Sequence, residues 1–243
     1  MSAGTDALTS PGISVYILAD TFFISLAEGA DGITALNLVL PIYSLIFAIG
    51  AMIGVGSAIK FRILRAKNEQ SADNYFSNAI LWAFLFGMLF AMAGFLMPDR
   101  IVALLGGDDR IVAIGRRYTG IFMLFAPFFM WNHICNAFVR NDDAPSVAMA
   151  ATLFSSIFNI IFDYILMFPL QMGMAGAALA TALSPILGII ICCTHLLSAK
   201  STVAFRWAMP SFAPSTPRFT SLSVLFIISR SRESNGSGKS EVE

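Results

Sequence analysis

Charge is what this chain has least of. Charged residues make up 12% of the sequence, about half the ~25% of an ordinary soluble domain. Its fifteen basic and fifteen acidic residues cancel, so no field of one sign is available to hold nucleic acid. There are only two histidines, His133 and His195, and they fall in separate apolar runs. With no Ser/His pair, His-rich cluster or metalloprotease motif, the chain does not read as an enzyme. The three cysteines, Cys135, Cys192 and Cys193, all lie in apolar runs. They form no disulfide framework or metal spacing, which leaves small packing residues as their reading. Residues 1–12 carry no Lys or Arg, so a cleavable leader is not expected there.

What is abundant is apolar sequence. Hydrophobic residues make up 57% of the chain, and mean hydropathy is +0.75. A helix needs about 20 apolar residues to span a bilayer. Five runs meet or approach that length, at 34–58, 75–97, 118–139, 146–168 and 173–197, and a shorter sixth covers 13–27. Each is apolar over far more than one helical stripe, which argues for helices in lipid rather than buried strands. The expectation is an all-α, polytopic membrane protein: a six-helix transmembrane bundle over 13–198, followed by an irregular tail over 199–243. In that tail Pro210, Pro214 and Pro217 break any helix, and the sequence turns polar from Ser229. Gly236-Ser-Gly-Lys-Ser240 lacks the preceding strand and glycine spacing of a phosphate loop. Pro127 is expected to kink the fourth helix. The 99–117 segment, around Gly106-Gly107-Asp108-Asp109, reads as a pair of short interfacial helices joined by a turn.

Basic residues orient the bundle. Lys60, Arg62, Arg65, Lys67, Arg140, Lys200 and Arg206 fall on one side. Arg100, Arg110, Arg116 and Arg117 fall on the other. The N-terminus and the 60–73 segment are therefore expected in the cytoplasm, with the chain multi-pass in the cell membrane.

Against this apolar background, Asp163 is conspicuous. It sits within the run from Val147 to Phe168, with Asn159 one helical turn before it. A carboxylate at bilayer depth costs roughly 2.5–3.5 kcal/mol on insertion scales. Residues four apart share a helix face, so the amide and the carboxylate can act together. Asp20 lies in the first run and Thr181 in the sixth. Two carboxylates, an amide and a hydroxyl can hold a hard cation such as Na⁺, or the carboxyl pair can carry a proton. The plainer alternative is that these groups only tie helix to helix. Asn132 and Asn136 share a face of the fourth helix and are read as lining a cavity. His133 lies off that face, and packing is its favoured role. Gly50 and Gly54 form a GxxxG, and Gly173 and Gly176 open the sixth helix. All four are read as letting helices approach closely.

These residues carry a resemblance. Asn159-Ile-Ile-Phe-Asp163 followed by Gly173-Met-Ala-Gly-Ala-Ala-Leu-Ala-Thr181 resembles the fifth and sixth helices of multidrug and toxic compound extrusion (MATE) transporters. Ala19-Asp20-Thr-Phe-Phe-Ile-Ser25 resembles their first helix. Leu104-Leu-Gly-Gly107, Tyr118 and Phe138-Val-Arg-Asn-Asp-Asp-Ala-Pro145 fit the same spacing. The resemblance covers about 13–207. It implies one six-helix lobe of a two-lobe antiporter that exports organic cations against Na⁺ or H⁺. It also implies that Asp20, Asn159, Asp163 and Thr181 bind the coupling ion, with no other cofactor. Two departures stand out: only one lobe is present, and residues 1–12 are polar where the family's first helix continues into the membrane. A second lobe or a homodimer would complete a transport path. Two other readings compete. One is a flippase for lipid-linked precursors, which would want a cavity ringed with Arg or Lys. The other is a membrane interaction protein that transports nothing.

Overall fold

The computed structural model describes residues 3–67, 69, 72–199 and 201–203, and for 3–17 and 73 it describes the backbone alone. The expected tail lies outside the described residues from 204 onward. Among the described residues the chain is built of helices, in the order α1 (Ala3–Ala66), α2 (Asp73–Leu96), α3 (Pro98–Leu104), α4 (Asp109–Leu124), α5 (Ala126–Asn141), α6 (Pro145–Met167) and α7 (Met174–Leu196).

The expected runs are present, but their boundaries change the count of spans. The short first run belongs to a helix that begins at Ala3, through the polar residues expected to be its clipped start. α1 also continues past residue 58 to Ala66, so Lys60, Arg62 and Arg65 are helical rather than in a loop. It is interrupted once, at Gly29, where φ is 65° and ψ is −150°. Only glycine takes up that backbone geometry readily. The apolar part of α1 runs 49 residues, from Leu18 to Ala66, over 70 Å if straight at 1.5 Å per residue and about twice the bilayer core. The break lets its two parts follow different neighbours. Phe23 packs against Tyr164 and Phe168 of α6 at 6.2 and 6.0 Å. Gly50 and Gly54, beyond the break, meet α5.

The region 99–139 is also divided differently. α3 is a single short helix, and Gly106 turns the chain at φ 102°. Asp108 then caps α4 by accepting from the Ile111 N–H at 2.9 Å. The expected second interfacial helix is thus the beginning of α4. The bend lies at Phe125, where α4 and α5 meet at 47°. Pro127 stands in the first turn of α5, where its missing N–H has no helical partner to lose, so the expected kink takes the form of a break between α4 and α5 two residues before it. Among the described residues, four helices are long and apolar enough to cross a membrane, or five with the bent pair counted as one span. The expected six appear only if the two parts of α1 are counted separately.

Polarity is inverted relative to a soluble bundle. On α6, Ile157 and Ile161 are half exposed, while Asn159 and Asp163 on the other face are buried. On α1, Leu18, Phe22 and Leu26 face out and Asp20 faces in. Lipid solvates the apolar face, so only the interior can hold polar groups. The main core lies between the later part of α1 and helices α2, α4 and α5. There Phe61, Phe76, Phe122, Phe129 and Phe138 are buried together, and Trp131 donates to the Ile80 carbonyl of α2 at 3.0 Å. Cys135 and Cys192 are free thiols in a smaller cluster with Val139, Ala148 and Ala151.

Glycines set how closely helices approach. A Cβ at Gly50 would lie 3.1 Å from Met130 Cα, and one at Gly54 3.1 Å from the His133 carbonyl. At Gly176 it would meet the Leu166 backbone at 2.9 Å, and at Gly173, where φ is 52°, it would meet Glu28 Oε1 at 2.5 Å. The tightest backbone contact is at Gly87, where a Cβ would lie 2.5 Å from Pro127 Cα.

At the end of the bundle where α5 meets α6, Asp142 gathers the chain leaving α7. Its carboxylate accepts from His195 Nε2 at 2.9 Å, Ser201 Oγ at 2.9 Å, the Thr202 N–H at 3.1 Å and the Thr202 hydroxyl. Burial alone would raise the Asp142 pKa. The hydrogen bonds from Thr202, His195 and Ser201 outweigh it and hold the pKa below its ordinary value.

Two measurements on the purified chain in detergent check this packing. Gly87→Ala is expected to lower unfolding stability by about 1–3 kcal/mol through overpacking against Pro127. Gly120→Ala, whose Cβ would have no neighbour closer than 3.6 Å, is expected to change it by less than about 0.5 kcal/mol. Asp142→Ala is expected to cost about 1.5–3 kcal/mol at neutral pH, the worth of hydrogen bonds to a charged group. Because the folded pKa is the lower one, this contribution is present above the ordinary carboxylate range and is lost as pH falls through the folded value. Thermal unfolding of wild type and Asp142→Asn should therefore converge in acid. A constant gap would mean that the carboxylate charge is not what holds the segment.

Candidate functional site

Three helices bring inward the four residues expected to hold the coupling ion. α1 carries Asp20, α6 carries Asn159 and Asp163, and α7 carries Thr181, and each of the four is at least nine-tenths buried. Asn159 Nδ2 donates to Thr181 Oγ1 at 3.4 Å, joining α6 to α7. Asn159 and Asp163 lie one turn apart on the inward face of α6. Phe23, three residues after Asp20, packs on Tyr164, next to Asp163, with ring centroids 6.2 Å apart, so α1 and α6 meet at the level of the two acids.

The oxygens here are mostly unmatched. Asp20 Oδ1, Asn159 Oδ1 and both carboxylate oxygens of Asp163 are buried and accept no hydrogen bond from the protein. A buried carboxylate without a partner is costly, and a proton or a cation removes that cost. No group of three or more His, Cys, Asp or Glu converges among the described residues. The donor set is therefore two carboxylates, an amide and a hydroxyl. Oxygen ligands of this kind fit a proton or a hard cation such as Na⁺, and not a soft metal.

Beside this set lies a cavity of ≈ 370 Å³. Tyr43, Phe47 and Phe129 form its aromatic side. Tyr43 stacks on Phe47 with ring centroids 4.2 Å apart. Much of the remaining lining is polar. α5 contributes Asn132, His133, Asn136 and Arg140, α6 contributes Thr152, Ser155, Ser156 and Asn159, and α7 contributes Thr181 and Ser184. Asn159 and Thr181 belong to both places, whereas Asp20 and Asp163 do not line the cavity. The amide and the hydroxyl thus stand between the carboxyl pair and the open space.

Asn132 and Asn136 both line the cavity and are linked, Asn136 Nδ2 donating to Asn132 Oδ1 at 2.9 Å. Gly188 leaves the room they need, since a Cβ there would lie 2.6 Å from Asn132 Oδ1 and 3.0 Å from Ser155 Oγ. His133 was expected off this face, in packing. Its ring does pack, edge-on against Phe47 at 4.5 Å and 80°. It also reaches the cavity wall, because the cavity takes in more of the α5 circumference than the one face that Asn132 and Asn136 share.

Sequence reasoning missed Arg140, Ser155, Ser156 and Ser184 as cavity residues. A signal was available for some of them. Asn132, Asn136 and Arg140 recur every four residues, and Thr152, Ser155, Ser156 and Asn159 follow the spacing of one helix face.

Comparison with known proteins agrees with this architecture. The family model MatE matches residues 7–165. The multidrug export protein MepA of Staphylococcus aureus (strain MRSA252) is 28% identical over 191 residues, covering 78% of this chain and 42% of that protein. MepA of Staphylococcus saprophyticus is 28% identical over 200 residues, covering 81% of this chain and 44% of the relative. The chain therefore spans less than half the length of these relatives. Among solved structures, the inward-facing conformation of a multidrug resistance MATE family transporter of the MOP superfamily superposes with a TM-score of 0.78 at 22% identity, covering 85% of this chain and 47% of that one. A crystal structure of MATE in complex with MaD3S gives a TM-score of 0.78 at 25% identity, covering 89% and 50%. With the model matching well over half of its residues, on a bundle of inward-facing acids and lipid-facing apolar side chains, the chain belongs to the MatE family of membrane transporters.

Proposed function

We propose that this chain is the ion-coupling lobe of an antiporter that exports small organic cations in exchange for H⁺ or Na⁺. One observation carries the reading: two buried carboxyl groups from separate helices, with buried oxygens left unmatched, stand one amide and one hydroxyl away from a cavity large enough for a small organic molecule.

Asp20 and Asp163 cannot both remain charged and unaccompanied in a low-dielectric interior. A bound ion neutralises them and lets α1, α6 and α7 pack closely. When the ion leaves, their repulsion favours a wetter, more open arrangement. Asn159 and Thr181 touch both places, so a change at the carboxyl pair is passed to the cavity wall. An ion and an organic cation that favour opposite arrangements then compete, which is how an antiporter couples two fluxes. The aromatic side of the cavity suits the apolar body of such a substrate and can attract its charge. A second lobe, or a second copy of the chain, would supply the opposite wall of the pathway. Lys60, Arg62, Arg65 and Lys67, at the end of α1, support a cytoplasmic position for that end and for the N-terminus. A flippase for lipid-linked precursors is less well supported, because among the described residues Arg140 is the single Lys or Arg lining the cavity.

The test is ion binding by the purified chain in detergent, read as Na⁺ uptake by calorimetry and as proton release by an indicator dye. Asp20→Asn and Asp163→Asn are each expected to weaken ion binding about ten- to hundredfold, the worth of one charged ligand. Asn159→Ala and Thr181→Ala are expected to have smaller effects. If the double variant of Asp20 and Asp163 keeps unchanged Na⁺ binding and proton release, the reading fails.

A further inference from the structure

We infer that the coupling ion reaches and leaves the carboxyl pair through the cavity, along the polar face of α6, and that the contact between Asn159 and Thr181 is the gate at the inner end of this route. This rests on reading Asp20 and Asp163 as the ion-binding pair and adds the path by which they exchange with water.

Asp163 lies close to one end of α6. The helix stops four residues later, at Met167, about 6 Å away along its axis. That short way is apolar. Phe23 of α1 packs on Tyr164 and Phe168 at 6.2 and 6.0 Å, those two rings stand 5.6 Å apart, and Met167 and Met174 are buried. An ion crossing there would give up its water to rings and thioethers, at the cost of a dry charge.

The opposite way is longer and polar. Thr152, Ser155, Ser156 and Asn159 precede Asp163 at spacings of one, three and four, so all five side chains share one face of α6. The first four line the cavity and Asp163 does not. From Thr152 to Asp163 this ladder covers about 16 Å. The lipid-facing side of the helix carries Ile157 and Ile161 instead. A cavity of ≈ 370 Å³ with hydroxyls and amides in its wall has room for about a dozen waters at ~30 Å³ each, and the polar partners that hold water in place. An ion can keep its hydration there until the last turn before the acids.

At that turn the way is closed. Asn159 Nδ2 donates to Thr181 Oγ1 at 3.4 Å, bridging α6 and α7 at the part of the wall next to Asp163. Beyond the bridge, Asn159 Oδ1 and both Asp163 oxygens are buried without a partner. The bond is near the upper limit of length for its kind, so little energy is lost when it opens for a passing ion. Closed, it separates the acids from the cavity. Open, it offers an amide and a hydroxyl to the ion in transit.

Exchange rates test this where affinities cannot. A rapid jump in Na⁺ or pH is applied to the purified full chain in detergent, and proton release and uptake are followed with an indicator dye. In Ser156→Cys, coupling the new thiol to a neutral benzyl methanethiosulfonate fills the route, and exchange is expected to slow at least about tenfold with equilibrium binding little changed. The same reagent is expected to leave the rates of the parent chain, whose Cys135 and Cys192 are buried, and of Ile157→Cys as they were. Thr181→Val keeps the shape and loses the hydroxyl. It is expected to raise uptake and release together by about threefold, the effect of one weak hydrogen bond, while Thr181→Ser keeps both rates.

Unslowed exchange in folded, labelled Ser156→Cys would overturn the inference, and so would a new thiol that the reagent cannot reach. Thr152→Cys, one turn further out, makes the same test if Ser156→Cys does not fold. Faster release with unchanged uptake in Thr181→Val also overturns it, since losing a ligand alone does that. If the dye signal is absent in the parent chain, or survives in Asp20→Asn/Asp163→Asn, the ion-pair reading fails and the route with it. A signal that needs both acids but ignores the filled cavity leaves that reading standing and removes the route.

Discussion

A carboxylate carried to bilayer depth loses its water and finds no substitute among lipid tails, at a cost of roughly 2.5–3.5 kcal/mol on insertion scales. Asp20 and Asp163 carry two such groups into one lobe. That cost dictates much of the arrangement around them. α1 and α6 turn their acidic faces inward and their isoleucines, leucines and phenylalanines outward. α7 follows with an alanine-rich face, and Gly176 brings its start within touching distance of the α6 backbone. The carboxyl pair could not be sheltered if these three helices stood at ordinary separations.

The same close packing shapes the cavity. Gly50 and Gly54 let α1 lie directly on α5, and Gly188 removes a side chain where Asn132 and Ser155 need space. Room for a ligand thus arises beside tight contacts, because a glycine on one helix admits a polar side chain from another. Aromatic rings from α1 and α5 line the cavity as well. α5 supplies Phe129, Asn132 and Asn136 from one helix face, since residues three and four apart lie together. Asn159 and Thr181 belong both to the surroundings of the acids and to the cavity wall.

Far from the acids, Asp142 performs a different task. It fastens the segment after α7 to the turn between α5 and α6, through four donors from three residues. Arg62 lies 3.4 Å from Asp143 at the same end, in an exposed pair of the kind that contributes little in water. The buried cluster is therefore the one that positions this end of the bundle.

Much of this was legible in the residues alone. Apolar runs of spanning length required helices in lipid, since no other open structure satisfies the backbone there. The isolation of Asp20, Asn159, Asp163 and Thr181 among apolar neighbours marked them before any geometry was known. Helix boundaries were less legible. Hydropathy does not report where a helix stops when the polar residues at its end are themselves good helix formers, as with Lys60 to Ala66. Tertiary structure alone decided which oxygens remain unmatched, that His133 reaches the cavity, and that Asn159 is bonded to Thr181 across two helices. Those properties depend on distances between helices, and distances are set by side-chain packing across the bundle rather than by the order of residues along any one strand of the chain.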